Sequence, residues 1–169
     1  MTASTVTGRD QITAATLGSG AHTTAGYLGE TQTTLLTANN GVFTTSFTST
    51  MLGLTRQTGN GVTVSFVRTP DGQLIAATTG TTGTYYLTDN FGSTVGIVSS
   101  AGVKTAAYAY DPYGRTRTAT GPNAAANAIR YAGGLFDATA GATKFGARYY
   151  DPDTGRFTQP DPSGQEQDL

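Results

Sequence analysis

Phe145-Gly-Ala-Arg-Tyr-Tyr-Asp-Pro-Asp-Thr-Gly-Arg-Phe-Thr-Gln-Pro-Asp-Pro162 gathers aromatics, turn formers and two arginines into one span of a Thr-rich, otherwise plain chain. Part of it is an echo. Tyr110-Asp111-Pro112-Tyr113-Gly114-Arg115 returns as Tyr150-Asp151-Pro152-Asp153-Thr154-Gly155-Arg156, one residue longer before the glycine. An earlier copy exists as well, since Tyr86, Asp89 and Gly92 each shift by 22 residues onto Tyr108, Asp111 and Gly114. Three matches at one offset establish a repeat.

The repeat makes structural sense as an aromatic strand followed by an acidic turn. A tyrosine buries its ring against neighbouring strands while its hydroxyl reaches a polar partner. The aspartate accepts backbone N–H bonds in the turn, and the glycine takes the positive-φ position. Turn glycines recur at Gly53, Gly61, Gly72, Gly80 or Gly83, Gly92, Gly102 and Gly114. Separations of about eight to twelve residues are those of successive short antiparallel strands. Every second turn gives a period of roughly twenty, in the range of stacked repeats. Between the glycines the residues alternate. Val62, Val64 and Phe66 share one face against Thr63 and Ser65, and Ala106, Tyr108 and Tyr110 oppose Thr105, Ala107 and Ala109. Leu35-Leu36 followed by Asn39-Asn40-Gly41 signals another hairpin. The longer turn at Asp151–Gly155 predicts a bulge or a wider loop.

The expected fold is therefore all-β, an antiparallel meander of hairpins forming a curved sheet. At most one short helix is expected, near residues 123–130, where Asn123-Ala-Ala-Ala-Asn-Ala-Ile-Arg130 is Ala-rich. Residues 1–27 read as a poorly ordered lead-in or as strands needing a neighbour. Residues 28–83 read as degenerate repeats, 84–164 as the regular core and 165–169 as a tail.

Composition narrows the function. Only 12% of residues are charged and the net charge is −1, which disfavours both an expanded disordered chain and a phosphate-binding surface. No apolar run is long enough to span a membrane as a helix, and no signal peptide is visible at the N-terminus. With Cys 0 there are neither disulfides nor thiolate metal sites. His22, the only histidine, has no partner for a zinc site or a catalytic triad. Asp151-Pro-Asp153-Thr-Gly155 lacks the later ligands of a calcium loop and reads as a solvated turn. Gly18-Ser19-Gly20 lacks the lysine and helix of a phosphate loop. No cofactor or metal is expected.

These residues resemble the YD-repeat or RHS (rearrangement hotspot) family, and specifically its RHS repeat-associated core. Tyr85-Tyr86-Leu87-Thr88-Asp89-Asn90-Phe91-Gly92-Ser93 is similar to the opening of that core, Tyr108–Arg115 to the YD repeat, and Ile129-Arg-Tyr-Ala-Gly-Gly134 to the next block. Gly146–Gly164 is similar to the closing signature. The resemblance covers residues 84–164 well and 28–83 diffusely.

The resemblance implies a β-strip spiralling into a hollow shell around a C-terminal toxic or variable polypeptide, secreted or surface-displayed as part of a larger parent. The implied partners are the rest of that polypeptide and its toxin, with self-association through sheet edges as a further option. It also implies an aspartyl-type self-cleavage site, in which Arg148 matches the family's arginine and Asp161 its first catalytic aspartate. The second aspartate lies in a later Asp-Pro-x-Gly segment, whereas this sequence reaches only Leu169, and Asp168 sits too early to replace it. A non-catalytic structural segment is thus expected. The alternative from another class is an adhesion or carbohydrate-binding module, with Tyr85, Tyr113 and Tyr149 as candidate stacking surfaces.

Overall fold

The computed structural model describes residues 3–6, 12–16, 22–28 and 34–161. Among these residues, twelve strands form one antiparallel sheet whose spatial order is the chain order. They are β1 (Ala3–Val6), β2 (Ile12–Thr16), β3 (His22–Tyr27), β4 (Leu35–Asn39), β5 (Thr44–Thr50) and β6 (Gly53–Gly59), then β7 (Val62–Arg68), β8 (Leu74–Thr79), β9 (Thr82–Thr88), β10 (Thr94–Ser99), β11 (Lys104–Tyr110) and β12 (Thr116–Thr120). The sheet is open, with β1 and β12 at its edges. A second, four-stranded sheet follows: β13 (Leu135–Asp137), β14 (Ala142–Phe145), β15 (Arg148–Asp151) and β16 (Arg156–Phe157).

The described residues of segment 1–27 supply β1, β2 and β3 to the large sheet, so they are strands with neighbours and not a lead-in apart from the sheet. The sheet also runs through the 83/84 boundary without a break, because Thr82–Thr88 is a single strand. Residues 165–169 and Gly18-Ser19-Gly20 lie outside the described residues.

Alternation decides which face is buried. Phe66, Ala77, Ile97, Ala106 and Tyr108 share the inner face, with Phe66 paired to Ala77 and Ile97 to Ala106 across the sheet. The opposite face keeps Val67, Tyr85 and Leu87 exposed. The aromatic-and-threonine pattern fits a half-buried pleated surface, which β-branched and aromatic side chains fill well.

The two ends of the sheet differ. At one end the β6–β7 and β8–β9 hairpins turn in two residues each. Asn60-Gly61 joins β6 to β7 with φ of 49° and 73°, the two positive values of a type I′ turn. At the other end lie the hairpins β1–β2, β3–β4, β5–β6, β7–β8, β9–β10 and β11–β12, and every one shows a register shift beside its turn. At the tight end, among the described residues, only β10–β11 shifts. An extra residue on a strand bends it and increases its right-handed twist. Repeating the bulge along one margin makes that margin longer than the other, and a strip built so must curl.

The bulged end is where the acidic turns sit. Asp89 Oδ1 accepts the N–H groups of Phe91 and Ser93 at 2.9 and 2.8 Å, and the Gly92 N–H donates to the Asp89 carbonyl. Asp111 does the same with Tyr113 and Arg115, both at 2.9 Å. Thr69 fills the same position one repeat earlier, its Oγ1 accepting the Gln73 N–H at 3.0 Å. The degenerate repeats thus keep the turn while changing the acceptor. The Asp151 turn is a wider loop, closed by the Gly155 N–H on the Asp151 carbonyl at 2.9 Å without a register shift.

Residues 123–130, where the sequence allows at most one short helix, form none. The segment makes turns, with one N–H of Asn127 reaching the Asn123 carbonyl at 3.2 Å. The Asn127 side chain then takes over the local backbone, donating to the Ile129 carbonyl at 2.7 Å. Asparagine competing in this way ends a helix before it propagates.

Gly114 and Gly102 allow a direct test of the acidic turn. Both have positive φ, 86° and 79°, but a Cβ at Gly114 would lie 2.4 Å from the Tyr131 ring while one at Gly102 meets nothing. Gly102→Ala should cost about 1 kcal/mol for the backbone alone, and Gly114→Ala about 3 kcal/mol once overpacking is added. Urea unfolding measures both, and equal losses would contradict this packing.

Candidate functional site

Residues 121–134 leave the edge strand β12 and cross the inner face of the large sheet. Their small and apolar residues fill it: Ile129 joins Phe66, Leu74 and Ala77, while Ala124 joins Ile97, Ala106 and Tyr108. The repeat tyrosines then serve as polar anchors. Tyr86 donates its hydroxyl to Asn127 Oδ1 at 2.9 Å, Tyr108 to the Ala124 carbonyl at 2.8 Å and Tyr110 to the Thr94 carbonyl at 2.8 Å. Thr94, fully buried, donates its own hydroxyl to the Ile129 carbonyl at 2.8 Å and its N–H to the Arg130 carbonyl at 3.1 Å. Burial raises the pKa of all three tyrosines, so they remain neutral donors at physiological pH.

Arg130 is the charge inside this layer. It is buried, and its Nε and Nη2 donate to the carbonyls of Asn127 and Ala124 at 3.0 and 3.2 Å. Its guanidinium carbon lies 4.2 Å from the Phe136 ring centroid and 5.5 Å from that of Tyr108. Carbonyl dipoles and ring faces replace the water it has lost.

The two echo segments meet in space. Arg115 Nε pairs with Asp153 Oδ1 at 2.8 Å, and the Tyr150 hydroxyl donates to the Tyr113 carbonyl at 2.9 Å. Asp151 Oδ1 accepts the Asp153 N–H at 2.8 Å. Both carboxylates of the rejected calcium loop are therefore engaged in the turn and in a surface ion pair. Tyr150, Phe145 and Phe157 form a cluster of edge-to-face rings beneath.

Arg148 and Asp161, which the closing signature singled out, come together. Residues 158–161 run back beside β15, with the Thr158 N–H on the Tyr149 carbonyl at 2.8 Å and Gln159 Oε1 accepting the Tyr149 N–H at 2.8 Å. That return brings Asp161 Oδ2 to 2.9 Å from Arg148 Nη2, both side chains mostly buried. The guanidinium carbon also lies 3.8 Å from the centroid of Phe157. An arginine so held can fix a carboxylate in place. Aspartyl proteolysis additionally requires a second carboxylate sharing a proton with the first.

Of the proposed stacking tyrosines, Tyr85 and Tyr113 are exposed, but Tyr149 is buried at 7% exposure and belongs to the interior. It faces a cavity of about 360 Å³ between the β2–β6 part of the large sheet and residues 125–144. Leu135, Lys144 and Tyr149 stand in register on β13, β14 and β15. Lys144 is buried, and its Nζ has no hydrogen-bond partner among the described residues. The Nζ lies 5.1 Å from the ring centroids of both Tyr27 and Tyr149. Burial pushes the ammonium down to about 8 and the Tyr27 phenol up to about 12.

Sequence reading missed Thr94, Asn127, Arg130 and Lys144. The one available signal was Asn127-Ala-Ile-Arg130, two polar residues bracketing the only large aliphatic residue of an Ala-rich stretch. Lys144 carries no local mark at all. The side chain of His22 lies outside the described residues, although its backbone begins β3.

Lys144 sets a pH signature. Its folded pKa, near 8, lies below the unfolded value of about 10.4. The unfolded chain therefore binds more protons between these values, and stability rises with pH across the window. Chemical denaturation of the native protein and Lys144→Met from pH 7.5 to 9.5 should show a rise in the former that the latter lacks. Parallel curves would contradict the assignment.

The Teneurin YD-shell family profile matches residues 56–168. Salivary gland surface protein 1 of Aedes aegypti is 46% identical over 84 residues, covering 48% of this chain and 2% of the relative. The tRNA3(Ser)-specific nuclease WapA of Bacillus spizizenii is 35% identical over 104 residues, covering 61% of this chain and 4% of that protein. In the TcdB2-TccC3-Cdc42 crystal structure a similar fold covers 95% of this chain and 9% of that one, with a TM-score of 0.73 at 20% identity. The Photorhabdus luminescens Tc holotoxin pore with a mutated TccC3 gives 0.72 at 21%, again over 95% and 9%. The chain thus spans a small fraction of each relative's length. A continuous bulged meander, the acidic turns at its margin and a family match across two thirds of the sequence agree, and the chain belongs to the Teneurin YD-shell family of RHS/YD-repeat proteins.

Proposed function

We propose that this chain is a non-catalytic wall segment of a longer shell protein, enclosing a C-terminal toxin or other variable polypeptide. The observation that carries this reading is the repeated bulge along one margin of an open twelve-stranded sheet. A sheet with two free edges and one covered face is a part that neighbouring repeats extend, since each repeat contacts mainly the next. Residues 121–134, laid on the inner face, would start the inward turn that closes one end of the wall.

The parent would be exported or displayed at a surface, in keeping with the Aedes relative's name. The nuclease activity named for WapA is not carried to this chain, which covers 4% of that protein. The Arg148–Asp161 pair would brace the closing signature in this chain. It would take part in self-cleavage only with a further aspartate supplied downstream. The adhesion reading loses Tyr149 to the interior and retains only Tyr85 and Tyr113.

Two measurements test the proposal. A specific protease site engineered downstream of the closing signature should resist cleavage in the native parent polypeptide and become cleavable once denaturant opens it; ready cleavage in the native state would refute enclosure. The purified chain, incubated at pH 4 to 8, should retain its intact mass, and new termini near Asp161 would show a working protease.

A further inference from the structure

The cavity beside Lys144 has the build of a ligand site. Its wall combines Leu35, Phe47, Phe136 and Ala142 with one buried ammonium that no acceptor among the described residues satisfies. Lys144 also borders a second cavity of about 340 Å³, so its side chain stands at the partition between two spaces. Both volumes fall within the range of small-ligand pockets. A buried cation without an acceptor is costly, and two tyrosine faces offset only part of that cost. Asp137, the one carboxylate among the described lining residues, has an oxygen tied to the N–H groups of Thr139 and Ala140 at 2.9 and 3.1 Å.

The geometry points to a site for a carboxylate carried on an apolar body, its oxygens accepting from Lys144 Nζ and its hydrocarbon lying against Leu35, Phe47 and Phe136. A free carboxylic acid and an acidic side chain flanked by apolar residues share that chemistry. Arg68 lines the second cavity but donates to the carbonyls of Leu54 and Gly72, leaving Lys144 as the cation available to an anion there among the described residues. Tyr27 and Tyr149 are neutral at physiological pH, so the groups facing the ammonium from β3 and β15 add no competing charge. The site stands independently of enclosure by the shell, because cavity and lysine belong to this chain.

Isothermal titration of the full chain tests it, with octanoate as the free acid and acetyl-Leu-Glu-Leu-amide as the peptide-borne one. Saturable binding of octanoate alone identifies a free acid, and binding of the peptide identifies a polypeptide-borne group. Octanol, which lacks the charge, should bind about tenfold more weakly or worse, and Lys144→Met should weaken the acid to the same degree. Raising the pH from 7 to 9.5 should also cost about tenfold, as the free ammonium loses its proton. In the unmutated protein, saturating ligand should raise the Lys144 pKa, followed by its ¹³Cε shift, by about one unit or more. Absence of binding by both acids, equal binding of octanol, or an unmoved Lys144 pKa would overturn the assignment.

Discussion

Two tyrosine hydroxyls and one threonine decide what this sheet becomes. A wide antiparallel sheet with one apolar face must cover that face or aggregate through it. Here the cover is a stretch of the same chain with little regular structure, and its backbone polar groups need partners inside. Tyr108 and Thr94 supply them from the sheet, and Tyr86 holds the Asn127 side chain that in turn donates to the Ile129 carbonyl. The tyrosine of each repeat therefore does more than fill volume: its hydroxyl turns a generic apolar surface into a template for one particular covering segment.

The acidic turn and the bulge form the complementary constraint. Aspartate at positions 89 and 111 fixes a five-residue turn by two backbone bonds, and the adjacent strand absorbs an extra residue. Because all these turns lie on one margin, a local hydrogen-bonding preference becomes a global curvature. Thr69 shows that the carboxylate is replaceable where an oxygen at the same place remains. This explains why the early repeats look degenerate in sequence while their strands continue the same sheet.

Much of the fold was legible because it is local and periodic. Alternation placed Phe66, Tyr108 and Tyr110 on one face, and the echoed turns placed the hairpins. The Asn39-Asn40-Gly41 hairpin was foreseen, although its loop runs from Asn40 to Phe43, while the tighter Asn60-Gly61 turn drew no notice beyond its glycine. What escaped was non-local. Ala-rich residues 123–130 left room for a short helix, because propensity ignores the tertiary pull on Asn127, Ile129 and Arg130. Tyr149 read as exposed because its neighbour Tyr150 alternates with it, and only the packing of two sheets shows which of the pair is interior. Arg148 and Asp161 were named from the closing signature, and their contact depends on the return of residues 158–161 along β15. Lys144 could not be singled out, since its isolation arises from elements far away in sequence.

Native-state hydrogen exchange probes the covering segment most directly. If the inner face holds residues 121–134 as described, the amides of Thr94, Asn127 and Arg130 exchange as slowly as those of the central strands, and Tyr108→Phe releases the 121–134 amides before the sheet opens. Exchange of those amides at free-peptide rates in the unmutated protein, beside a protected sheet, would contradict the account.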